Sequence, residues 1–139
     1  MRTARKNVQR LKYALYKGRV NIAVTDNDDD IVYDDSGEPL KSGSTRPSYG
    51  KPVDFLANIA FAGGEAEAEA YGISVDRYDS KIVVPRGALP LTETSIVFQD
   101  SKPKYRKDGT LDEKSADYRV VKVAPSLYYT VYLLQRIEK

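Results

Sequence analysis

The carboxylates between Asp26 and Asp30 are the side chains in this sequence that most resemble a metal-binding group. Four of these five residues are aspartates, and hard cations such as Ca²⁺ prefer clustered carboxylate oxygens. The spacing of a calcium-binding loop is not met, since Ile31 stands where the sharp turn needs glycine and Gly37 where a bidentate glutamate belongs. The stretch therefore predicts a solvated acidic loop and no metal site.

A faint phosphate-loop pattern begins at Gly43. Six residues separate this glycine from Gly50 and Lys51, where the phosphate-binding loop requires four. Pro52 also stands where a serine or threonine would meet magnesium. The pattern therefore predicts no nucleotide site.

Glu65, Glu67 and Glu69 alternate with alanine and offer paired carboxylates for acid–base work. No nucleophile or cation is organised around them, so a solvated helix face is the simpler interpretation. The chain has neither histidine nor cysteine, which removes the usual general base and the thiolate ligands and nucleophiles. We therefore expect no enzyme and no cofactor.

Charge is segregated along the first forty residues. The first 19 residues hold seven basic side chains and no acidic one, and positions 1–10 are predicted to form a basic N-terminal arm. The next charged block is entirely acidic. The basic residues are Arg2, Arg5, Lys6, Arg10, Lys12, Lys17 and Arg19, and the acidic ones are Asp26, Asp28, Asp29, Asp30, Asp34, Asp35 and Glu38. The arm could bind nucleic-acid phosphates or dock on an acidic neighbour.

Most of the secondary-structure elements that the sequence predicts are strands. Alternating apolar residues predict a strand over 53–61, shorter apolar runs predict strands at 81–84 and 94–98, and the segments 118–123 and 127–134 predict a closing hairpin. A weaker pattern predicts a strand from Leu11, and the glutamate–alanine stretch predicts a short helix ended by Gly72.

Two stretches predict loops, 25–51 because it is crowded with serine, glycine and proline, and 101–115 because it lacks periodicity. No internal repeat or domain linker is found, so residues 1–139 are predicted to form a single domain. The expected fold is mainly β, a small β-barrel or sandwich of about six strands with one short helix, a long early loop and a basic N-terminal arm.

The aromatic residues are dominated by tyrosine, with eleven tyrosines, three phenylalanines and no tryptophan. Adjacent tyrosines in the hairpin must point to both faces of their strand, so at least one aromatic face lies outside the core and suits a protein interface. A tyrosine-rich sheet with solvated hydroxyl groups is the alternative. Tyr13 and Tyr16 could stack on bases or pack half-buried.

The overall pattern of the chain resembles that of head completion proteins of tailed bacteriophages, also called head-tail connector, adaptor or stopper proteins. The resemblance rests on LKYALY at 11–16, on 52–72 with its GGEAEAEAYG, on LPLTETS at 89–95 and on ADYRVVKVAPSL at 116–127. None of these is a chemical motif.

The resemblance implies a virion protein of the neck, made in the host bacterial cytoplasm, which takes part in completing viral genome packaging. Such proteins form six-fold or twelve-fold rings between the portal or adaptor protein above and the tail protein below. The ring closes the DNA-filled head and offers the surface on which the tail docks. Genomic DNA passes without sequence-specific binding, and no membrane is involved. In some relatives a long early loop plugs the channel, and residues 25–51 would correspond to it.

The residues expected to act are therefore contact residues. The predicted protein interface comprises Arg2, Arg5, Lys6, Arg10, Tyr13, Tyr16, Tyr128, Tyr129 and Tyr132. The predicted channel or subunit-contact loop contributes Asp26, Asp28, Asp29, Asp30, Asp34 and Asp35. The alternatives are a tail-side joining protein, and a nucleic-acid-binding module that uses the basic arm.

Overall fold

The computed structural model of the protein describes residues 8–28 and 30–138. Arg2, Arg5 and Lys6 of the predicted interface and Asp29 of the predicted loop lie outside the described residues. Within the described ranges the chain forms nine strands and one α-helix, besides two short 3₁₀ turns. They are β1 (Gln9–Ala14), β2 (Tyr16–Ala23), β3 (Lys41–Tyr49), β4 (Val53–Ala57), β5 (Ile59–Phe61), α1 (Glu65–Ala70), β6 (Ser80–Pro85), β7 (Ile96–Phe98), β8 (Tyr118–Pro125) and β9 (Tyr129–Arg136).

Seven of these strands form one antiparallel sheet that curls almost into a barrel. The strand order is β4-β1-β7-β8-β9-β6-β5, so β4 and β5 lie at opposite edges. Asn58 alone separates these two strands in the chain, and β4 also contacts β6. One continuous segment thus joins both edges of the sheet, which confirms the predicted mainly β, barrel-like fold.

The predicted single strand over 53–61 is divided at Asn58 because its two halves pair with different strands, β4 with β1 and β5 with β6. The predicted alternation holds for Phe55 and Ala57, which are buried, while Phe61 is 90% exposed. The fold also has nine described strands where about six were expected.

The barrel encloses the main apolar core. Leu11 and Phe55 lie opposite each other across β1 and β4, and Ile82 and Tyr132 lie opposite each other across β6 and β9. All four are buried in one cluster. The strands therefore bury one face inward, as alternation requires.

Two smaller apolar clusters cover parts of the outer face. Ala14 and Phe98 pack with Leu111 of the segment 101–115, so that segment lies across β1 and β7. On the other side, Ala68 of α1 packs with Leu133 of β9. The outer face of the sheet is thus covered by the predicted second loop and by the predicted helix.

The helix α1 confirms the prediction for the glutamate–alanine stretch, and it ends as expected. Gly72 adopts a left-handed backbone with φ of 69°, and its amide donates to the Glu69 carbonyl while the Ile73 amide donates to the Ala68 carbonyl. This pair of bonds is a Schellman motif, which satisfies the final carbonyls of a helix.

The predicted loop over 25–51 is wrong for residues 41–49, which form β3 and pair with β2. None of the residues of β2 or β3 is buried. The strand therefore has no apolar alternation to reveal it, and its glycine, serine and proline content indicated a loop instead. Gly43 accommodates the irregular pairing with a φ of 85°.

The second loop, 101–115, is anchored at its start by the carboxylate of Asp117, a residue that is 3% exposed. Asp117 Oδ2 accepts from the backbone amides of Gln99, Asp100 and Ser101 at 2.8–3.0 Å. Burial raises the pKa of this carboxyl group, but these bonds and the Ser101 hydroxyl outweigh burial and hold the pKa below its ordinary value. The anion thereby fixes the direction in which the loop leaves β7.

Replacing Phe55 by alanine tests closure of the barrel. Phe55→Ala should lower the free energy of unfolding by about 3–5 kcal/mol, because it removes a buried aromatic ring from the closing strand. The matched control is Leu56→Ala on the same strand, where the side chain is 65% exposed and the loss should stay within about 0.5 kcal/mol. Chemical denaturation measures both, and equal losses would contradict the assignment of the inner face.

Replacing Asp117 by asparagine tests the anchor of the second loop. The folded-state pKa lies below the ordinary value of 3.8, so the carboxylate stabilises the fold above that pH and its contribution disappears as the pH falls through the folded-state pKa. Asp117→Asn should cost about 1–3 kcal/mol at pH 7 and less under acid. Asp100→Asn, at an exposed neighbouring position, should change little, and a cost for Asp117→Asn that does not depend on pH would refute the assignment.

Candidate functional site

The strands β2 and β3 form a two-stranded ribbon that is separate from the barrel sheet. Its pairing runs from Tyr16 and Tyr49 at the base to Ala23 and Lys41 near the tip. An isolated two-stranded hairpin is marginally stable in water. Because the ribbon buries no side chain fully, contacts beyond its own pairing must hold it in place.

The ribbon tip, residues 24–28 and 30–40, is closed by a triangle of backbone hydrogen bonds. Val24 N donates to Leu40 O at 2.8 Å, Val32 N to Val24 O at 2.9 Å, and Leu40 N to Val32 O at 2.9 Å. The three residues are spaced eight apart. The tip is therefore an ordered unit of two successive turns.

Each turn of the ribbon tip is built on one aspartate. Asp26 Oδ1 accepts from the amides of residues 28 and 30 at 2.9 and 3.1 Å. Asp34 Oδ1 accepts from the amides of residues 36 and 38, both at 2.9 Å. This repeat was not predicted, although the common spacing of Val24 and Asp26, and of Val32 and Asp34, indicates it.

A third turn of similar geometry lies in the second loop, at residues 105–111. Tyr105 pairs with Leu111 across it, and Arg106 N donates to Thr110 O at 2.8 Å. Asp108 Oδ1 accepts from the amide and the hydroxyl of Thr110 at 2.9 and 2.6 Å. This turn, which we call the bracing turn, faces the ribbon.

The ribbon is attached to the bracing turn by ion pairs. Arg46 of β3 meets Asp108 at 2.8 Å, and each side chain is only 20% exposed. Lys107 donates to the backbone carbonyl of Asp28 at 2.6 Å and lies 3.7 Å from Asp30. The acidic loop is therefore bound within the chain by the second loop.

The electrostatics of the bracing turn favour the charged form of Asp108. Burial raises the pKa of this carboxyl group, but hydrogen bonds from Thr110 and the positive charges of Arg46 and Arg106 outweigh burial and lower it. Arg106 is itself held by Glu113 at 2.6 Å. A cavity of about 380 Å³ lies between the bracing turn and the ribbon, beside the ion pairs that join them. Its lining includes Arg46, Arg106 and Lys107.

The ribbon tip gathers three exposed carboxylates, those of Asp26, Asp28 and Asp30, with oxygens within 4.8 Å of one another. One oxygen of Asp26 already accepts two backbone amides, so this residue serves first to form the turn. The remaining predicted residues, Asp34 and Asp35, are exposed on the second turn. The structure thus brings the described acidic residues together at one end of the ribbon.

Of the described basic residues in the first 19 positions, Arg10 and Lys12 lie on β1, and Lys17 and Arg19 lie on β2 of the ribbon. Arg10 is exposed, and Lys12 pairs with Asp54 at 2.5 Å across β1 and β4. These residues, with Leu56, line a surface groove of about 550 Å³. We call it the basic groove.

The predicted tyrosine interface is wrong for Tyr132, a buried core residue whose hydroxyl donates to the Leu89 carbonyl at 2.9 Å. Tyr129 is half-buried, and only Tyr128 of this group is largely exposed, at 72%. It neighbours the exposed Leu127 on the turn between β8 and β9. The hairpin therefore lacks the expected aromatic face, and of its three predicted interface tyrosines Tyr128, in the turn, is the one that is largely exposed.

The two tyrosines near the basic segment pack within the chain. Tyr13 lies against Phe55 with ring centroids 5.4 Å apart, and Tyr16 meets Tyr49 edge-on at 5.9 Å. Burial and the nearby charge of Glu113 raise the pKa of Tyr49. Tyr13 and Phe55 both belong to the barrel, while Tyr16 and Tyr49 join the two strands of the ribbon at its base. Tyr49 also packs on the apolar cluster around Phe98, which connects the base of the ribbon to the barrel.

The helix carboxylates do not form one solvated face, because Glu67 is engaged. It accepts from the Gly63 amide at 2.9 Å and the Tyr78 hydroxyl at 2.8 Å, and it pairs with Lys81. Burial raises the pKa of Glu67, but these three partners outweigh burial and lower it; burial and Glu67 together raise the pKa of Tyr78 to about 12. The cluster fastens α1 to the sheet.

The fold and the site define a nearly closed β-barrel that carries a projecting ribbon with an acidic tip. Comparison with known proteins assigns the chain to no family, since no protein-family model, curated protein or solved structure matches it. Among the described residues, no helix is long and apolar enough to cross a membrane.

Removing the brace should loosen the ribbon and leave the barrel intact. We expect the pair Lys107→Ala and Asp108→Asn to raise amide hydrogen exchange in β3 and the ribbon tip, because local opening depends on local contacts, while exchange in β9 stays unchanged. Lys102→Ala in the same loop, at an exposed position, is the control. Unchanged protection of the ribbon in the double variant would show that these ion pairs do not hold it.

Proposed function

We propose that this chain is a structural protein of the neck of a tailed bacteriophage, where copies form a ring between portal and tail. The ring closes the DNA-filled head and presents the docking surface for the tail. The observation that carries the proposal is the ribbon, a long ordered element that leaves the barrel without burying a side chain fully in it.

A ribbon of this kind is best explained by a partner. Ordering the backbone costs about 1–2 kcal/mol per residue, and an exposed two-stranded element recovers little of that by apolar burial. Contacts supplied by a neighbouring molecule would offset the cost. An assembly of identical subunits provides such contacts at every position of a closed ring.

The charge distribution supports the same proposal. Residues 25–40 carry seven acidic and no basic side chains, and taking them from the net charge of +2 leaves +9 on the other 123 residues. A ribbon tip near the channel would repel DNA phosphates, so that the genome slides through without adhering. A ribbon tip against a neighbouring subunit would instead attract that subunit's basic surface.

The alternative of a nucleic-acid-binding module has less support. Binding to single strands relies on exposed aromatic rings on which bases stack. Tyr13 and Tyr16 are engaged with Phe55 and Tyr49, and Tyr132 is buried. The largely exposed rings, Tyr33, Phe61, Tyr105 and Tyr128, lie on segments other than the basic arm on which this alternative relies.

The mass of the assembled protein tests the proposal. The full chain, mixed with the portal ring encoded in the same genome, should form a complex that contains six or twelve copies, as native mass spectrometry would count them. A variant whose residues 22–44 are replaced by a short glycine–serine turn should keep the barrel but fail to close a ring. A chain that stays monomeric and does not bind the portal would refute the proposal.

A further inference from the structure

Two surfaces of the chain are complementary in charge and in apolar character. One is the ribbon tip, and the other is the basic groove across β1 and β4. We propose that the basic groove of one copy binds the ribbon tip of a second copy, so that subunits join head to tail; this inference rests on the ring proposed above and names its contact.

The basic groove offers positive charge beside exposed apolar surface. Arg10 and Leu56 lie directly opposite each other in the register of β1 and β4, and Leu56 is 65% exposed. The side chain of Arg10 forms no hydrogen bond or ion pair with other described residues. The groove therefore suits an acidic partner that also carries apolar side chains.

The ribbon tip has that combination. Tyr33 and Leu40 are 57% and 40% exposed within a segment that lacks any basic side chain. Asp34 is used to form its turn, but the side chains of Asp35 and Glu38 are exposed and take no part in the turn's hydrogen bonds. These two carboxylates are thus available to a neighbour.

The ribbon tip is expected to contact the basic groove of another copy and not the groove of its own chain. The ribbon is tied to the bracing turn through Arg46 and Asp108, and the described part of the ribbon tip forms no ion pair with Arg10 or Lys12. Each copy would then offer two different patches. Contacts of this heterologous type generate a closed ring when the rotation between subunits closes.

Reversing the charge of each surface separately tests the contact in the full chain. Asp35→Lys with Glu38→Lys changes the net charge of residues 32–40 from −3 to +1 and so makes the second turn of the tip basic, and Arg10→Glu makes the groove acidic. Each variant alone should associate at least about tenfold more weakly than the unmodified chain, because like charges would meet at the contact. Mixed in equal amounts, the two variants should assemble again, since each tip then faces a groove of opposite charge.

The control variant is Asp76→Lys, at an exposed acidic position in the turn Val75–Arg77, which should assemble normally. Circular dichroism checks that each variant is folded. Zero-length carboxyl–amine coupling of a mixture of isotope-labelled and unlabelled copies gives a second readout that needs no variant. It should join Asp35 or Glu38 of one copy to Lys12 of another.

These experiments distinguish a failure of the proposed contact from a failure of the proposed ring. If the tip-reversed chain still forms full rings on the portal, the proposed contact is wrong and the ring proposal stands. If the unmodified chain forms no ring with or without the portal, both are wrong. The contact is supported if the mixture reassembles and if coupling joins residues of different copies. If the tip-reversed chains keep their rings but gain affinity for DNA, the tip faces the channel and the proposed contact is wrong.

Discussion

The ion pair between Arg46 and Asp108 is the interaction on which the position of the ribbon depends. The ribbon buries none of its residues fully, so a partly buried charge pair, supported by Lys107, supplies much of the contact that a core would otherwise provide. That pair requires the bracing turn, and the bracing turn requires the second loop to leave β7 in the direction that the buried carboxylate of Asp117 fixes. One buried anion therefore orients the acidic tip through a chain of polar contacts.

Because the barrel is nearly closed, its sheet edges are not free to pair with another chain, and the ribbon remains as a surface available to a partner. A sheet with open edges exposes unpaired backbone groups that recruit other strands. Here one segment, turning at Asn58, carries the chain from one edge to the other, so the sheet itself offers little for pairing. What remains is the ribbon with its acidic tip, the basic groove, and isolated apolar side chains such as Phe61 and Tyr128.

Alternation of buried and exposed side chains predicted the strand over 53–61, because burial on one face leaves a visible period. The strands around 81–84 and 118–134 were predicted from apolar runs rich in β-branched and tyrosine residues, and the short helix from the helix propensity of glutamate and alanine. β3 was missed because neither of its faces is buried. The pairing of Glu67 with Lys81, and the burial of Tyr132 opposite Ile82, depend on residues far apart in the chain, which no local pattern reports. The eight-residue repeat of the ribbon tip was visible but lay within a stretch that glycine and serine marked as a loop.

The most direct measurement of the central claim, that this chain acts by assembling with its own copies in the phage neck, is an electron cryomicroscopy reconstruction of the chain bound to its portal ring. Our account predicts a closed ring of barrels with six-fold or twelve-fold symmetry, in which each ribbon leaves its own barrel and ends at a neighbouring subunit. Single barrels bound without mutual contact, with each ribbon lying back on its own subunit, would contradict it.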